Sequence, residues 1–310
     1  MAAHFQPIFA TPTPIQVERR FPLHLHEDDT PIRQLYEKAK QSRWNPDTGL
    51  PWSQNALAAV PQAARDAARR VWSRRAWVEY TGMAETPALL IRFCLELNRE
   101  SDPKYFLTVR NTEEAWHIES YHRYAEACGG YVDRPSHPAW EPVFNRTQYR
   151  DALNAGVSID AYVAVHCAFV DGLELLLAQA WASNVREPLA KAMLAQCLKD
   201  YERHAQFGWL YAKRRAATMT DEVRARVAQG LQQHIETVEF AGYHCVGLAT
   251  QVDAGPEMAD LQQVQAAGLG AVTAEQEVEI FRQCLERTRS SFAQWGLDLP
   301  TVEHPRWGTF

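Results

Sequence analysis

The chain has 310 residues, 46% hydrophobic and 23% charged, with a formal net charge of −6. Such a composition supplies a core, excludes global disorder, and through its acidic balance disfavours a nucleic-acid partner. No unbroken apolar run reaches the ~18 residues a membrane helix needs, residues 1–20 carry no signal core or Arg-rich targeting pattern, and the six scattered cysteines form no CxxC pair, as expected of a reduced cytoplasmic chain with no membrane partner.

Residues 1–61 read as an irregular, Pro-rich arm, holding eight of the 17 prolines. Only a short helix is expected there, near 31–42. Trp44 and Trp52 bracket a stretch of turn residues and read as aromatic anchors for the arm. From residue 62 the apolar period is helical. Helices are expected over 62–80, over 85–98 with Pro87 in its first turn, and over 112–128, stopped by Gly129 and Gly130. After a Pro-rich connection, 159–183 is apolar nearly all round, the mark of a helix inside a bundle. Further helices are expected from Pro188 to about 215, over 223–250, and from the capping box at Thr273 and Gln276 to about 294. No alternating strand run occurs, so the class is all-α. The core is expected over 62–220, with 221–310 packing on it as C-terminal helices.

Four of these helices carry acids or histidines at positions that read as buried. Glu85 opens one. Glu114 and His117 share a face of the next at i and i+3. Asp171 and Glu174 lie one turn apart in the apolar helix, and His204 lies on the following one. Glu85 and His117 are 32 residues apart, Asp171 and His204 are 33 apart, and two hairpins of that size can bring the four side chains to the centre of a bundle. Dinuclear carboxylate sites use this arrangement, with an acid from each of two helices and a Glu-x-x-His from each of the other two. Imidazole with carboxylate suits Fe(II) or Mn(II), and carboxylates offset the charge of two divalent ions in a dry interior. Glu119 and His122 repeat the Glu-x-x-His spacing about 140° round the same helix from Glu114, so only one of the two pairs faces inward. His166 reads as a satisfied core histidine, His234 and His244 as surface or supporting residues, and Glu236 and Glu239 as a solvated face. No phosphate-binding loop, Ser/His/Asp order or nucleophilic cysteine context is present.

The segment Glu113-Glu-Ala-Trp-His-Ile-Glu-Ser-Tyr-His-Arg-Tyr124, with Gly129 and Gly130 after it, resembles the ferritin-like oxidases related to the ribonucleotide-reductase small subunit. Asp171-Gly-Leu173 is similar to that family's Glu-Gly-Leu. Asp200-Tyr-Glu-Arg-His-Ala-Gln-Phe-Gly208 is similar to its Asp-Glu-Ala-Arg-His motif, and Glu85-Thr-Pro-Ala-Leu-Leu90 to its first acidic helix. The resemblance covers about residues 72–215. It implies a ferritin-like four-helix bundle with extra helices and selects Glu114 and His117 over the rival pair. It also implies two irons, or manganese and iron, held by Glu85, Glu114 and His117 on one side and Glu114, Asp171 and His204 on the other.

The chain departs from that pattern at Tyr201, where the family has a glutamate, and at Asp171, one methylene shorter than glutamate. Glu174 or Asp200 can restore the missing charge, and Tyr201 can act at the site through its phenol. The resemblance further implies a dinuclear iron oxidase or oxygenase that uses dioxygen to hydroxylate, N-oxygenate or desaturate a small organic substrate. Its electrons would come from an external donor such as a ferredoxin or reductase, because no flavin or nicotinamide motif is present. A homodimer or a subunit of an oxygenase complex fits the same family. The changes at Tyr201 and Asp171 leave two alternatives, a metal-poor structural subunit and a single-metal site at Glu85, Glu114 and His117.

Overall fold

A computed structural model describes residues 30–96, 101–145, 149–154 and 156–310. The arm before residue 30 and the expected helix end at 97–98 lie outside the described residues. The helices are α1 (Pro31–Gln41), α2 (Gln62–Glu79), α3 (Gly82–Leu95), α4 (Ser101–Cys128), α5 (Glu141–Phe144), α6 (Tyr149–Leu153), α7 (Ile159–Val163), α8 (Asp171–Asn184), α9 (Pro188–Ala216), α10 (Asp221–Thr237), α11 (Gly255–Ala267) and α12 (Ala274–Ala293). A seven-residue π-helical segment, Ala164–Val170, joins α7 to α8 without a break.

Local chemistry explains most boundaries. Thr30 caps α1 by accepting from the Arg33 amide, and Pro31 holds its first position. Glu187 does the same for α9, with Pro188 following. The capping box at Thr273 and Gln276 forms as expected. Gly129 and Gly130 end α4 with φ of 131° and 120°, values a side chain resists.

The core has two paired halves. In one, α2 and α3 lie along α4. In the other, α8 and the π segment lie along α9, and α4 meets α9 across the middle. The helix of the arm, α1, covers both α4 and α9. Its extension seats Trp44 in the core, where the indole donates to Asp200. α11 packs on α2, α12 on α8 and α10 on α7.

The stretch Ile159–Asn184 is long and apolar enough to cross a membrane, which counting unbroken apolar runs overlooks, yet 72% of its most apolar window is buried in the bundle. The expected helix over 223–250 is shorter than its pattern. α10 stops at Thr237, and two 3-10 turns with a left-handed Gly242 follow. α11 and a two-residue β-hairpin, Glu303–His304 paired with Gly308–Thr309, are elements the sequence pattern does not reveal.

Candidate metal centre

α4 and α9 each present an acid, a variable position and a histidine in the same order, and the two helices bind each other through them. His117 on α4 places Nε2 3.1 Å from Asp200 Oδ2 on α9. His204 on α9 places Nε2 2.9 Å from Glu113 Oε2 on α4. Arg203 ties the two acids together, bonding both Glu113 and Asp200. All of these groups are buried. Each imidazole is therefore fixed through one nitrogen by a carboxylate from the opposite helix, the way metal-bound histidines are held by their outer partners.

The second nitrogens differ in state. Nδ1 of His117 lies 2.7 Å from Glu79 Oε1. Burial opposes charge on this ring, but the Cys197 sulfur, Glu79 and the bond to Asp200 outweigh it and hold the pKa well above the ordinary value. His204 is driven the other way by burial and by the positive charges of Arg110 and His117. It stays neutral, donates through Nε2, and keeps a lone pair on Nδ1.

Between the helix pairs lies a cavity of about 30 Å³, room for a water-sized body. Glu79, Glu85, Glu114, Asp171, Glu174 and His204 are on its wall. Glu114 reaches it because residue 82 is glycine, where a Cβ would stand 2.7 Å from the Glu114 carboxyl carbon. Asp171 reaches it as the first residue after the π segment. That segment is seated by Gly208 of α9, where a Cβ would fall 1.7 Å from the Cys167 carbonyl oxygen. Only a glycine allows so close a helix approach.

Arg110, one turn before Glu114, enters the same space. It donates to Asp171 Oδ1 at 2.8 Å and forms an ion pair with Glu114 Oε1 at 3.2 Å, while Thr86 donates to that same oxygen. The second oxygens, Glu114 Oε2 and Asp171 Oδ2, are buried with no partner. Burial pushes Glu114 up to about 8 and Glu85 to about 7, despite the opposing pull of Arg110. Burial also raises Asp171 well above the usual carboxylate range. One guanidinium thus falls short of neutralising these acids.

Around them, Tyr162 donates to Glu85 at 3.2 Å and His166 stands 3.6 Å from the same oxygen. Tyr201 donates to Glu79 at 2.7 Å and lies 3.0 Å from the Tyr121 hydroxyl. Burial and the negative charge of Glu79 keep Tyr201 a neutral phenol. His244 bridges Glu174 at 3.3 Å and Glu239 at 2.8 Å, and His234 bonds the same Glu239 oxygen. Glu239 is fully buried, so it belongs to this network and not to a solvated face, whereas Glu236 is exposed. His166, His234 and His244 all stand on the cavity wall.

The donor set fits a cation in type. It offers hard oxygen ligands, imidazoles oriented from behind, two orphaned carboxylate oxygens and more buried acids than the one guanidinium pairs. Among the described residues no group of three or more His, Cys, Asp and Glu side chains stands ready-closed around one point. The reasons are visible: Arg110 takes an oxygen from Glu114 and another from Asp171, and Glu79 takes His117 Nδ1.

No family model matches the sequence, and no curated protein matches it. Solved structures do. A variant of an R2-like ligand-binding oxidase with an aerobically reconstituted Mn/Fe cofactor superposes with a TM-score of 0.65 at 17% identity, covering 85% of this chain and 94% of that one. The fold is that of the R2-like oxidases. A second variant, with an Fe/Fe cofactor, gives 0.64 at 18% identity over 85% of this chain and 93% of the other. A third, with Mn/Fe, gives 0.64 at 16% over 86% and 98%. The neighbours are ferritin-like helical proteins related to the ribonucleotide-reductase small subunit, and the all-α, ferritin-like expectation holds.

Of the residues singled out from the sequence, Glu85, Glu114, Asp171, Glu174 and His204 come together on the small cavity. His117 is set behind Glu79, and Tyr201 lines a neighbouring, larger cavity. Glu79, Arg110 and the strap role of Glu113 were missed. The signal for the strap was present: an acid four residues before a histidine occurs on both α4 and α9.

Proposed function

We propose that the chain is a metal-dependent oxidase with a dinuclear centre of two irons, or of manganese and iron. The centre would supply dioxygen activation to hydroxylate, N-oxygenate or desaturate a small organic substrate. The observation that carries this reading is the reciprocal strapping of His117 by Asp200 and of His204 by Glu113. Such straps have little purpose for ordinary core histidines and a clear one for ligands.

Glu85, Glu114 and His117 would hold one ion, and Glu114, Asp171 and His204 the other, with Glu79 added to the first side. Tyr201 orients Glu79 through its hydroxyl. Glu174, paired with His244, supplies the carboxylate that position 201 lacks. The indoles and aliphatic side chains around the larger cavity would give the centre an apolar neighbour. Electrons would come from a ferredoxin or reductase, and the six free thiols fit a cytoplasmic setting. Metal analysis of protein grown with iron and manganese tests the proposal. About two ions per chain with an oxo-bridge absorption supports it, and less than about a tenth of an ion overturns it.

A second reading rests on Arg110. Its guanidinium already bridges Glu114 and Asp171, and so stands in for one cation of a pair. In that case one ion per chain is expected, rising when Arg110 is replaced by glutamine.

A further inference from the structure

The larger cavity, of about 380 Å³, shares Glu79, Glu174 and His244 with the wall of the small one. Its size is that of a small-molecule site. The walls are mostly apolar and aromatic, with Trp77, Trp140, Phe144, Leu177 and Trp181 among them. Three arginines of α2 also line it, and they are not equivalent. Arg70 is paired with Asp260, bonding both carboxylate oxygens at 2.6 and 2.7 Å. Arg74 donates to the carbonyls of Gly242 and Tyr243. Arg75 is 7% exposed and lies 3.7 Å from the Trp181 ring centre and 4.4 Å from that of Trp72. Both of its terminal nitrogens, Nη1 and Nη2, are buried without a hydrogen-bond partner.

A guanidinium whose carbon sits against two indoles is held in place by them, and its two terminal nitrogens carry parallel donors. Leaving both buried and unpaired is costly, and an acceptor pair would satisfy them. Two residues of the same wall carry further buried, unpaired atoms. Trp181 Nε1 is a donor, and Glu277 Oε2 is an acceptor. No carboxylate among the described residues forms an ion pair with Arg75.

We propose that this cavity binds a small carboxylate-bearing molecule with an aromatic body, its carboxylate forked onto Arg75 Nη1 and Nη2 and its ring among the indoles. That places the body of the molecule beside Tyr201, Glu79 and Glu174, at the wall of the candidate metal centre. The word substrate rests on the oxidase reading, but the binding does not. Where the molecule also carries an ammonium, Glu277 is its acceptor.

The test is calorimetric titration of the metal-free full chain with 3-phenylpropionate, L-phenylalanine and 3-phenylpropionamide, so that failure of the metal centre cannot masquerade as failure of the pocket. At least one of the two acids should bind roughly 10-fold or more tighter than the amide, the ratio one charge-assisted hydrogen bond supports. Arg75→Gln should erase that preference and Arg75→Lys should restore part of it. Phenylalanine binding tighter than phenylpropionate, with the gain lost in Glu277→Gln, places an ammonium at Glu277. The reverse order leaves the carboxylate alone as the recognised group. Equal binding of acids and amide, no binding of either acid, or an acid preference that survives in Arg75→Gln overturns the proposal. The acid-against-amide comparison uses the unmodified protein and stands even if the variants do not fold.

Discussion

The α4 and α9 halves of the candidate centre are alike in their frame and unlike in what they present. Each provides a histidine, and each provides the carboxylate that fixes the other's histidine. At the inward position between them, α4 carries Glu114 with Arg110 against it, whereas α9 carries Tyr201, which donates to Glu79. What orients the rings is therefore kept on both sides, while what balances charge differs between them. A centre of this kind can change its cation count without losing its geometry, because straps and charge balance reside on different residues.

The most disruptive change aims at what holds the α9 half in place. Gly208→Ala pushes a methyl group into the Cys167 carbonyl, and backbone cannot yield as a side chain can. The loss of stability should be ~4 kcal/mol or more. Circular dichroism melts read it, and a variant that melts like the parent would show that the helix contact is not tight.

The straps come next. Asp200→Asn and Glu113→Gln should each lower metal affinity by about 10- to 100-fold, read by competition with a chelator. A clear effect from only one of them would end the equivalence of the two halves. Asp200→Ala should also free the Trp44 indole, which an emission shift would report.

The charge balance sharpens the contrast. Arg110→Gln releases Glu114 and Asp171; metal content rising from one ion towards two would favour the single-ion reading, content unchanged at two the dinuclear one, and the metal-free protein should lose stability in either case. Removing one partner of a buried pair leaves uncompensated charge, a cost of ~3–5 kcal/mol that protonation of the acids partly relieves. Tyr201→Phe is milder. It deletes one buried hydroxyl bonded to Glu79 and Tyr121, for about 1 kcal/mol in a denaturant titration, and should leave metal content unchanged if the phenol is no ligand.

A separate test lies in pH dependence. Burial pushes Glu277 up from the ordinary glutamate value of about 4.5 to about 7. The folded state then binds more protons than the unfolded one between those values, so stability falls as pH rises from about 4.5 through 7. Glu277→Gln should reduce that slope of Tm between pH 5 and 8, leaving the part owed to Glu85 and Glu114. An unchanged slope would mean that Glu277 is ionised throughout.

Much of this was legible in the chain. A Glu-x-x-His on a helix and an acid inside an apolar one are local signals, and they singled out Glu114, His117 and Asp171 as candidates, while His204 came from the repeated spacing and the family resemblance. The capping box fixed the start of α12 for the same local reason. What stayed hidden is tertiary. Nothing near Glu239 announces that His234 and His244 fold back onto it, since the turns after α10 break the helical period that would carry it to solvent. Arg110 reads as an ordinary helix cation until Asp171, 61 residues on, is set against it. Glu79 ends α2 just before the chain bends into α3, so no periodic pattern marks it.

The π-helical segment has a consequence of its own. Its wider turns accommodate one residue more than an α-helix of the same rise, which shifts the angular phase of everything before Asp171 by about 100° relative to everything after it. Tyr162, which serves Glu85, stands upstream, and Asp171, which serves Arg110, stands downstream. Deleting a single residue within Ala164–Val170 would restore a uniform winding and make the two contacts mutually exclusive. The inserted residue thus acts as a phase offset, allowing one rod to feed two differently placed clusters at once.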